Sequence, residues 1–306
     1  MKAISKKFRG LNAFLVTPTT EDGERIDEAR LRSLIDEQIS AGVDGVTVFG
    51  STGANGSFTE EERKRVIGIA VEHVAGRVPV IAGTGSMTTS ETIRLSKFAA
   101  AKGVDAVLVV PLTYWPLKEN EVEEHYTAIA KAVDVPLGIY NNPTTTGTDI
   151  KPEQLARLAR LDSVAFVKES SGIIERIVQI HRLTGHSVSV FNGKDSVMLE
   201  ATAVGADGWF SGGCNLIPRE CVALLKLAES GPAARAREAF LKLYPVFEMQ
   251  SLKSTLRVVQ TGLDIVGRSV GPPRRPLRYL TPADRKALEQ VLIEMGLVER
   301  KIANVA

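Results

Sequence analysis

Val164-Ala165-Phe166-Val167-Lys168-Glu169-Ser170 sets a single ammonium into an otherwise apolar, strand-like run. A lysine carried into the interior of such a strand is where a Schiff-base nucleophile is expected. Only the unprotonated amine attacks a carbonyl, and desolvation favours that neutral form. The alternative is a strand whose lysine extends its stem to the surface. The remainder of the chain decides between the two.

Runs of the same kind recur along the sequence. Short valine-rich stretches fall at residues 11–16, 45–49, 78–82, 106–110, 137–140, 164–167, 187–191 and 208–210, with amphipathic segments between them. That alternation is the pattern of repeated strand-helix units around a parallel sheet. Helix starts are visible: Thr59-Glu60-Glu61-Glu62 has capping-box spacing ahead of the stripe Val66, Ile69, Ala70 and Val74. After Asp27 come Leu31, Leu34, Ile35 and Ile39 at helical spacing, and Pro152 suits a first turn before Leu155, Leu158 and Ala159. Eight such units match a (β/α)8 barrel better than a doubly wound sheet, which usually needs fewer strands. Past Ser211 the sequence predicts helices at 219–229, 233–247 and 282–295, with a Gly271-Pro272-Pro273 break before the last. The fold class is therefore read as α/β, a TIM barrel over residues 1–215 with a C-terminal helical extension over 216–306. No linker marks off a second independent domain, so the extension is expected to pack on the barrel as one structural unit.

Composition narrows the function. The 306 residues, 44% hydrophobic and 24% charged, supply a large globular core. Thirty-eight Lys and Arg against 36 Asp and Glu leave a net charge of +2 without long runs of one sign, so neither nucleic acid nor an acidic membrane is an expected partner. The basic stretch 1–8 lacks an apolar signal core, and no segment approaches the roughly 18 apolar residues of a membrane span, which predicts the cytoplasm. Cys214 and Cys221 cannot build a disulfide framework, which fits a reducing compartment. His73, His125, His181 and His186 are scattered without zinc-type spacing, so they read as helix-surface residues and no metal site is expected.

In a barrel of this kind the chemistry lies at the C-terminal ends of the strands. Gly50-Ser51-Thr52-Gly53 follows strand 2, and its hydroxyls and backbone N–H groups could bind a carboxylate; as a lone motif it reads first as a structural turn. Strand 5 ends in Tyr140-Asn141-Asn142-Pro143, bringing a phenol to the rim, where it could also serve only packing. Strand 6 ends at Lys168. Strand 7 runs into Asn192-Gly193-Lys194-Asp195, whose polar groups would face the same mouth, and strand 8, with Phe210, leads to the open turn Ser211-Gly212-Gly213-Cys214-Asn215.

Taken jointly, these motifs resemble the dihydrodipicolinate synthase / N-acetylneuraminate lyase family of class I aldolases over nearly the whole chain. Residues 50–53 are similar to the family's carboxylate-binding loop in its lyase-like spelling. Tyr140-Asn141-Asn142-Pro143 is similar to the catalytic tyrosine motif and Phe166-Val167-Lys168-Glu169-Ser170 to the Schiff-base motif. The 28-residue interval from Tyr140 to Lys168 is also the family's. The resemblance implies Lys168, Tyr140 and Thr52 as catalytic residues, with Thr52 bonded to Tyr140 to orient its phenol. It further implies carboxylate binding by Gly50, Ser51 and Thr52, no metal or organic cofactor, a small 2-oxo acid as substrate, and a homotetramer; Thr145, Gly193, Lys194, Asp195 and Phe210, at the same mouth, complete the expected substrate-binding set.

Departures from the family pattern bear on the substrate. Thr145 stands where dihydrodipicolinate synthases have an arginine for the second substrate's carboxylate, and losing a bidentate guanidinium is not conservative. Ala54 replaces the glutamate after Gly53, and the family's second tyrosine aligns with Thr113, or with Tyr114 after a one-residue shift. The expected activity is a Schiff-base lyase on a 2-oxo acid, most simply reversible aldol cleavage releasing pyruvate. The alternatives are a dehydratase or deaminase of a 3-deoxy-2-oxo sugar acid, dihydrodipicolinate synthase itself, and a non-catalytic oxo-acid sensor.

Overall fold

The computed structural model describes residues 8–299, so the basic residues 1–7 lie outside it. Eight parallel strands close into a barrel in chain order. They are β1 Gly10–Phe14, β2 Gly45–Val48, β3 Val80–Gly83, β4 Ala106–Val109, β5 Leu137–Asn141, β6 Val164–Glu169, β7 Ser189–Asn192 and β8 Gly208–Ser211. The helices around them are α1 Glu28–Ala41, α2 Glu60–Val74, α3 Thr89–Lys102, α4 Glu119–Ala132, the short α5 Pro143–Thr146, α6 Pro152–Leu158, α7 Glu175–Thr184 and α8 Met198–Ala203. The extension consists of α9 Pro218–Ser230, α10 Ala233–Lys253, α11 Thr255–Ile265 and α12 Pro282–Glu294.

The start signals act as read. Asp27 caps α1 by accepting from Arg30 N–H, Thr59 and Glu62 complete a capping box on α2, and Pro152 occupies the first turn of α6. Two differences lie in the extension. Helix α10 contains Pro245, as expected, but runs on past residue 247 to Lys253; Leu243, Val246, Phe247 and Gln250 are all buried, and that packing outweighs the hydrogen bond lost at the proline. Helix α11, unforeseen in the sequence, begins after Ser254, whose φ of 82° breaks the chain direction. The histidines also differ from expectation. His125 is buried against Thr89 of α3 and His181 against the Gly205–Asp207 turn before β8, not on a helix surface.

Register and alternation together set the site. In β5 and β6, Tyr140 pairs with Lys168 and Asn141 with Glu169, while Lys168 pairs across to Phe191 of β7. Successive strand residues face opposite sides, so Phe166 and Lys168 point into the barrel and Val167 and Glu169 toward the helices. The lumen is filled by an aromatic layer: Phe8, Phe14, Tyr140, Phe166, Phe191 and Phe210 join one buried cluster. A second cluster fills the space between barrel and helices. Among the described residues no helix is long and apolar enough to cross a membrane.

Candidate active site

Lys168 is 1% exposed, so its side chain does not snorkel. Its Nζ lies 3.1 Å from the Phe14 ring centroid, 4.1 Å from that of Tyr140 and 5.3 Å from that of Phe210. Among the described residues it makes no ion pair. Burial therefore holds its pKa well below the usual lysine range, opposed only by the more distant Asp195 charge. Strand 7 leaves room for it: a Cβ on Gly193 would lie 2.7 Å from Lys168 Cε and 1.9 Å from the buried Ser170 Oγ. Glycine is what lets β7 pass so close.

Tyr140 is 4% exposed, buried beneath the rim and not on it. Asn142 Nδ2 donates to its phenol oxygen at 2.9 Å and to Ser51 Oγ at 3.2 Å, and Ser51 Oγ and the phenol are 3.3 Å apart. Burial raises the pKa of the phenol against these hydrogen bonds, so near neutral pH it is a proton donor. The implied Thr52–Tyr140 bond is absent. Ser51 and Asn142 hold the phenol instead, and Thr52, also buried, lies beside Gly212 of the β8 turn.

The 50–53 loop is bracketed by two residues in the left-handed region, Phe49 at φ 58° and Ala54 at φ 52°. For a bulky residue such as Phe49 that conformation is strained and needs outside support. Gly50 is dictated by packing, since its Cβ would lie 1.7 Å from the Phe14 ring that covers Lys168. Thr17 Oγ1 donates to Gly53 O at 2.9 Å and fixes the far end of the loop.

The remaining expected residues divide. Phe210 forms part of the aromatic wall around Lys168, and Thr145 lies exposed on α5, its hydroxyl donating to Asn142 O at 3.3 Å. Lys194 is half-buried over Gly172, its ammonium without an ion pair among the described residues. Asp195 departs from the expectation of a carboxylate open to the mouth. Its two oxygens accept from Trp209 Nε1 at 2.9 Å and Gly213 N–H at 2.8 Å, tying β7 to β8, and burial pushes its pKa up to about 6. Tyr114 and Trp115 are 79% and 75% exposed, and Thr113 donates to Trp115 O. Phe14 and Asn142 went unread as site residues. Asn142 stood inside the quoted tyrosine motif, whereas nothing local in the sequence marked Phe14. A separate cleft of about 1350 Å³, between residues 21–24 and 272–282, contains none of these side chains.

The dihydrodipicolinate synthetase family matches residues 7–295 of the chain. The 4-hydroxy-tetrahydrodipicolinate synthase of Methylibium petroleiphilum is 38% identical over 285 residues, covering 93% of this chain and 97% of the relative. That of Thermoanaerobacter sp. (strain X514) is 33% identical over 293 residues, 95% of this chain and 98% of the relative. Among solved structures, dihydrodipicolinate synthase from Aquifex aeolicus superposes with a TM-score of 0.90 at 34% identity, over 95% of this chain and 99% of that one. A monomeric dihydrodipicolinate synthase variant gives 0.90 at 30% identity, over 96% and 99%.

Proposed function

Because the chain belongs to the dihydrodipicolinate synthetase family, whose members are lyases working through a lysine Schiff base, we propose that Lys168 forms that Schiff base with a 2-oxo acid. The C3–C4 bond, one carbon removed from the imine, is then made or broken, most simply by reversible aldol cleavage releasing pyruvate. The observation that carries this reading is Lys168 itself, a buried amine among aromatic faces with no ion-pair partner among the described residues, beside a phenol held by Ser51 and Asn142.

Neutral Lys168 Nζ attacks the ketone carbon, and the Tyr140 phenol delivers a proton to the oxygen that leaves as water. The resulting iminium at C2 draws the electrons of the C3–C4 bond while the Tyr140 phenolate takes back the C4 hydroxyl proton, so the aldehyde departs; the enamine is then protonated at C3 and the imine hydrolysed. Phe14 and Tyr140 present ring faces to the nitrogen and so attract the iminium, whose charge is spread over nitrogen and carbon, whereas the free ammonium loses its hydration on burial. Ser51, Thr52 and the N–H groups of the 50–53 loop bind the carboxylate. Nothing in these steps calls for a metal or an organic cofactor.

A second reading is condensation of pyruvate with aspartate semialdehyde, favoured by the name that the curated relatives carry. Thr145 argues against it, since a threonine hydroxyl cannot replace a guanidinium clamp on the second carboxylate. Lys194, without an ion pair among the described residues, suits a distal acid group on a hydroxylated 2-oxo acid. Cytoplasmic location and a homotetramer complete the proposal, the latter to be read by light scattering. The deciding experiment compares catalytic efficiency for semialdehyde condensation with that for cleavage of 3-deoxy-2-oxo acids, in the native protein and in Thr145→Arg. Efficient cleavage with poor condensation, partly reversed in Thr145→Arg, is the expected result. A strong native preference for the semialdehyde would assign the chain to the second reading.

A further inference from the structure

Arg63, on the first turn of α2, is buried at 6% exposure, yet no carboxylate pairs with it among the described residues. Its Nη1 donates to Ser86 Oγ at 2.9 Å, and Nη2 donates to Gly83 O and Gly85 O, both at 3.0 Å. Nε is buried without a partner. The guanidinium carbon lies 5.7 Å from the centroid of the Phe49 ring. Burial lowers its pKa to about 10, which leaves it charged at neutral pH.

A buried guanidinium with a spare N–H, attracted only at a distance by Glu60 and Glu91, is an expensive way to fill a gap between a helix and a sheet. Its contacts give the reason for it. Phe49 is the strained residue that launches the 50–53 loop, and its carbonyl abuts Gly83, where a Cβ would lie 2.0 Å from Phe49 O. Arg63 holds both sides of that contact, the end of β3 by hydrogen bonds and the Phe49 ring by its flat cationic face.

We propose that Arg63 is a positioning residue for carboxylate recognition, holding Phe49 in its left-handed conformation so that the Ser51 and Thr52 donors converge on the acid group of the 2-oxo acid. This rests on the Schiff-base reading above. A misplaced loop would weaken carboxylate binding while leaving the amine chemistry of Lys168 intact.

The test is borohydride trapping at Lys168 with pyruvate and, separately, with methyl pyruvate, whose ester removes the negative charge from a nearly isosteric ketone. Half-saturating concentrations are measured for native protein, Arg63→Gln and Arg63→Lys. In Arg63→Gln, pyruvate is expected to bind about tenfold more weakly, the worth of a charge-assisted hydrogen bond, with methyl pyruvate hardly affected and the saturated trapping rate retained. Arg63→Lys keeps the buried charge but not the planar fork, and should restore part of the loss. It also carries the test if the glutamine variant does not fold. Equal weakening of both ketones, or native selectivity in both variants, overturns the inference alone. No trapping of either ketone by native protein removes the Schiff-base reading as well.

Discussion

One residue along β5 and β6 separates two opposite uses of buried polar groups. Tyr140 and Lys168 face the lumen, where the lysine meets aromatic rings and no paired acid. Asn141 and Glu169, their immediate neighbours, face the helix layer and are saturated. Asn141 Nδ2 donates to Glu169 Oε2 at 3.0 Å and Asp149 Oδ1 at 3.2 Å, Asn141 Oδ1 accepts from Ile150 N–H, and Arg176 grips Asp149 through two bonds of 2.6 and 2.8 Å. Outside, charges are buried because they are paired, and they fasten β5, β6 and α7 in register. Inside, a cationic group is left unpaired, which keeps it neutral and reactive. The outer network is stability; the inner pair is chemistry.

That contrast breaks most sharply at Lys168. Lys168→Ala should abolish both turnover and borohydride labelling while circular dichroism remains native. Full activity in the variant would end the distinction. Next, Tyr140→Phe should lower kcat by about 10² to 10⁴, the usual worth of positioned acid–base catalysis, with a smaller change in substrate binding. An unchanged rate constant would move the proton relay to another group.

The outer face is tested by Arg176→Met. Removing one partner of a mostly buried pair should cost about 2 to 3 kcal/mol in urea unfolding, below the figure for a wholly buried pair because Asp149 keeps some contact with water. Labelling of Lys168 should survive. The Arg176 guanidinium holds the Asp149 carboxyl well below its usual range, so its contribution is present above about pH 4 and is lost as the pH falls below that. A variant as stable as native at neutral pH would show that the network does not hold the register.

The smallest expected effect has the opposite sign. Lys168→Met replaces a buried amine without a paired acid by an apolar chain, and should stabilise the protein by about 1 to 2 kcal/mol. The folded-state pKa is depressed, so the unfolded chain binds the extra proton and native stability rises with pH above that pKa. The advantage of the variant should therefore narrow as the pH approaches about 10.4, where lysine loses its proton in both states. A native protein more stable than the variant at pH 7 would mean that the lumen accommodates the ammonium after all.

Periodicity made the barrel legible, because each β-strand is a local apolar run set between capped amphipathic helices. Lys168 was legible for the same reason, as a charge in the wrong place. What escaped depends on tertiary contacts. Phe14 covers Lys168 from β1, distant in sequence, and is admitted only because residue 50 is glycine. The phenol's partners follow from how the chain turns after β5, which brings Asn142 to Tyr140 and leaves Thr52 elsewhere. Asp195 reads as an open mouth residue until Trp209 and Gly213 take both of its oxygens. Helix α11 was hidden because α10 runs on to Lys253 and only the backbone turn at Ser254, which no proline or glycine marks, separates the two.

The most direct test of an unpaired, neutral lumen lysine is pyruvate trapping followed across pH, with peptide mapping of the adduct. The label should fall on Lys168 and persist well below the pH at which an exposed lysine stops reacting, declining only as the pH falls through the depressed pKa. Label on Lys194 or a surface lysine, or labelling of Lys168 that appears only above about pH 10, would contradict the account.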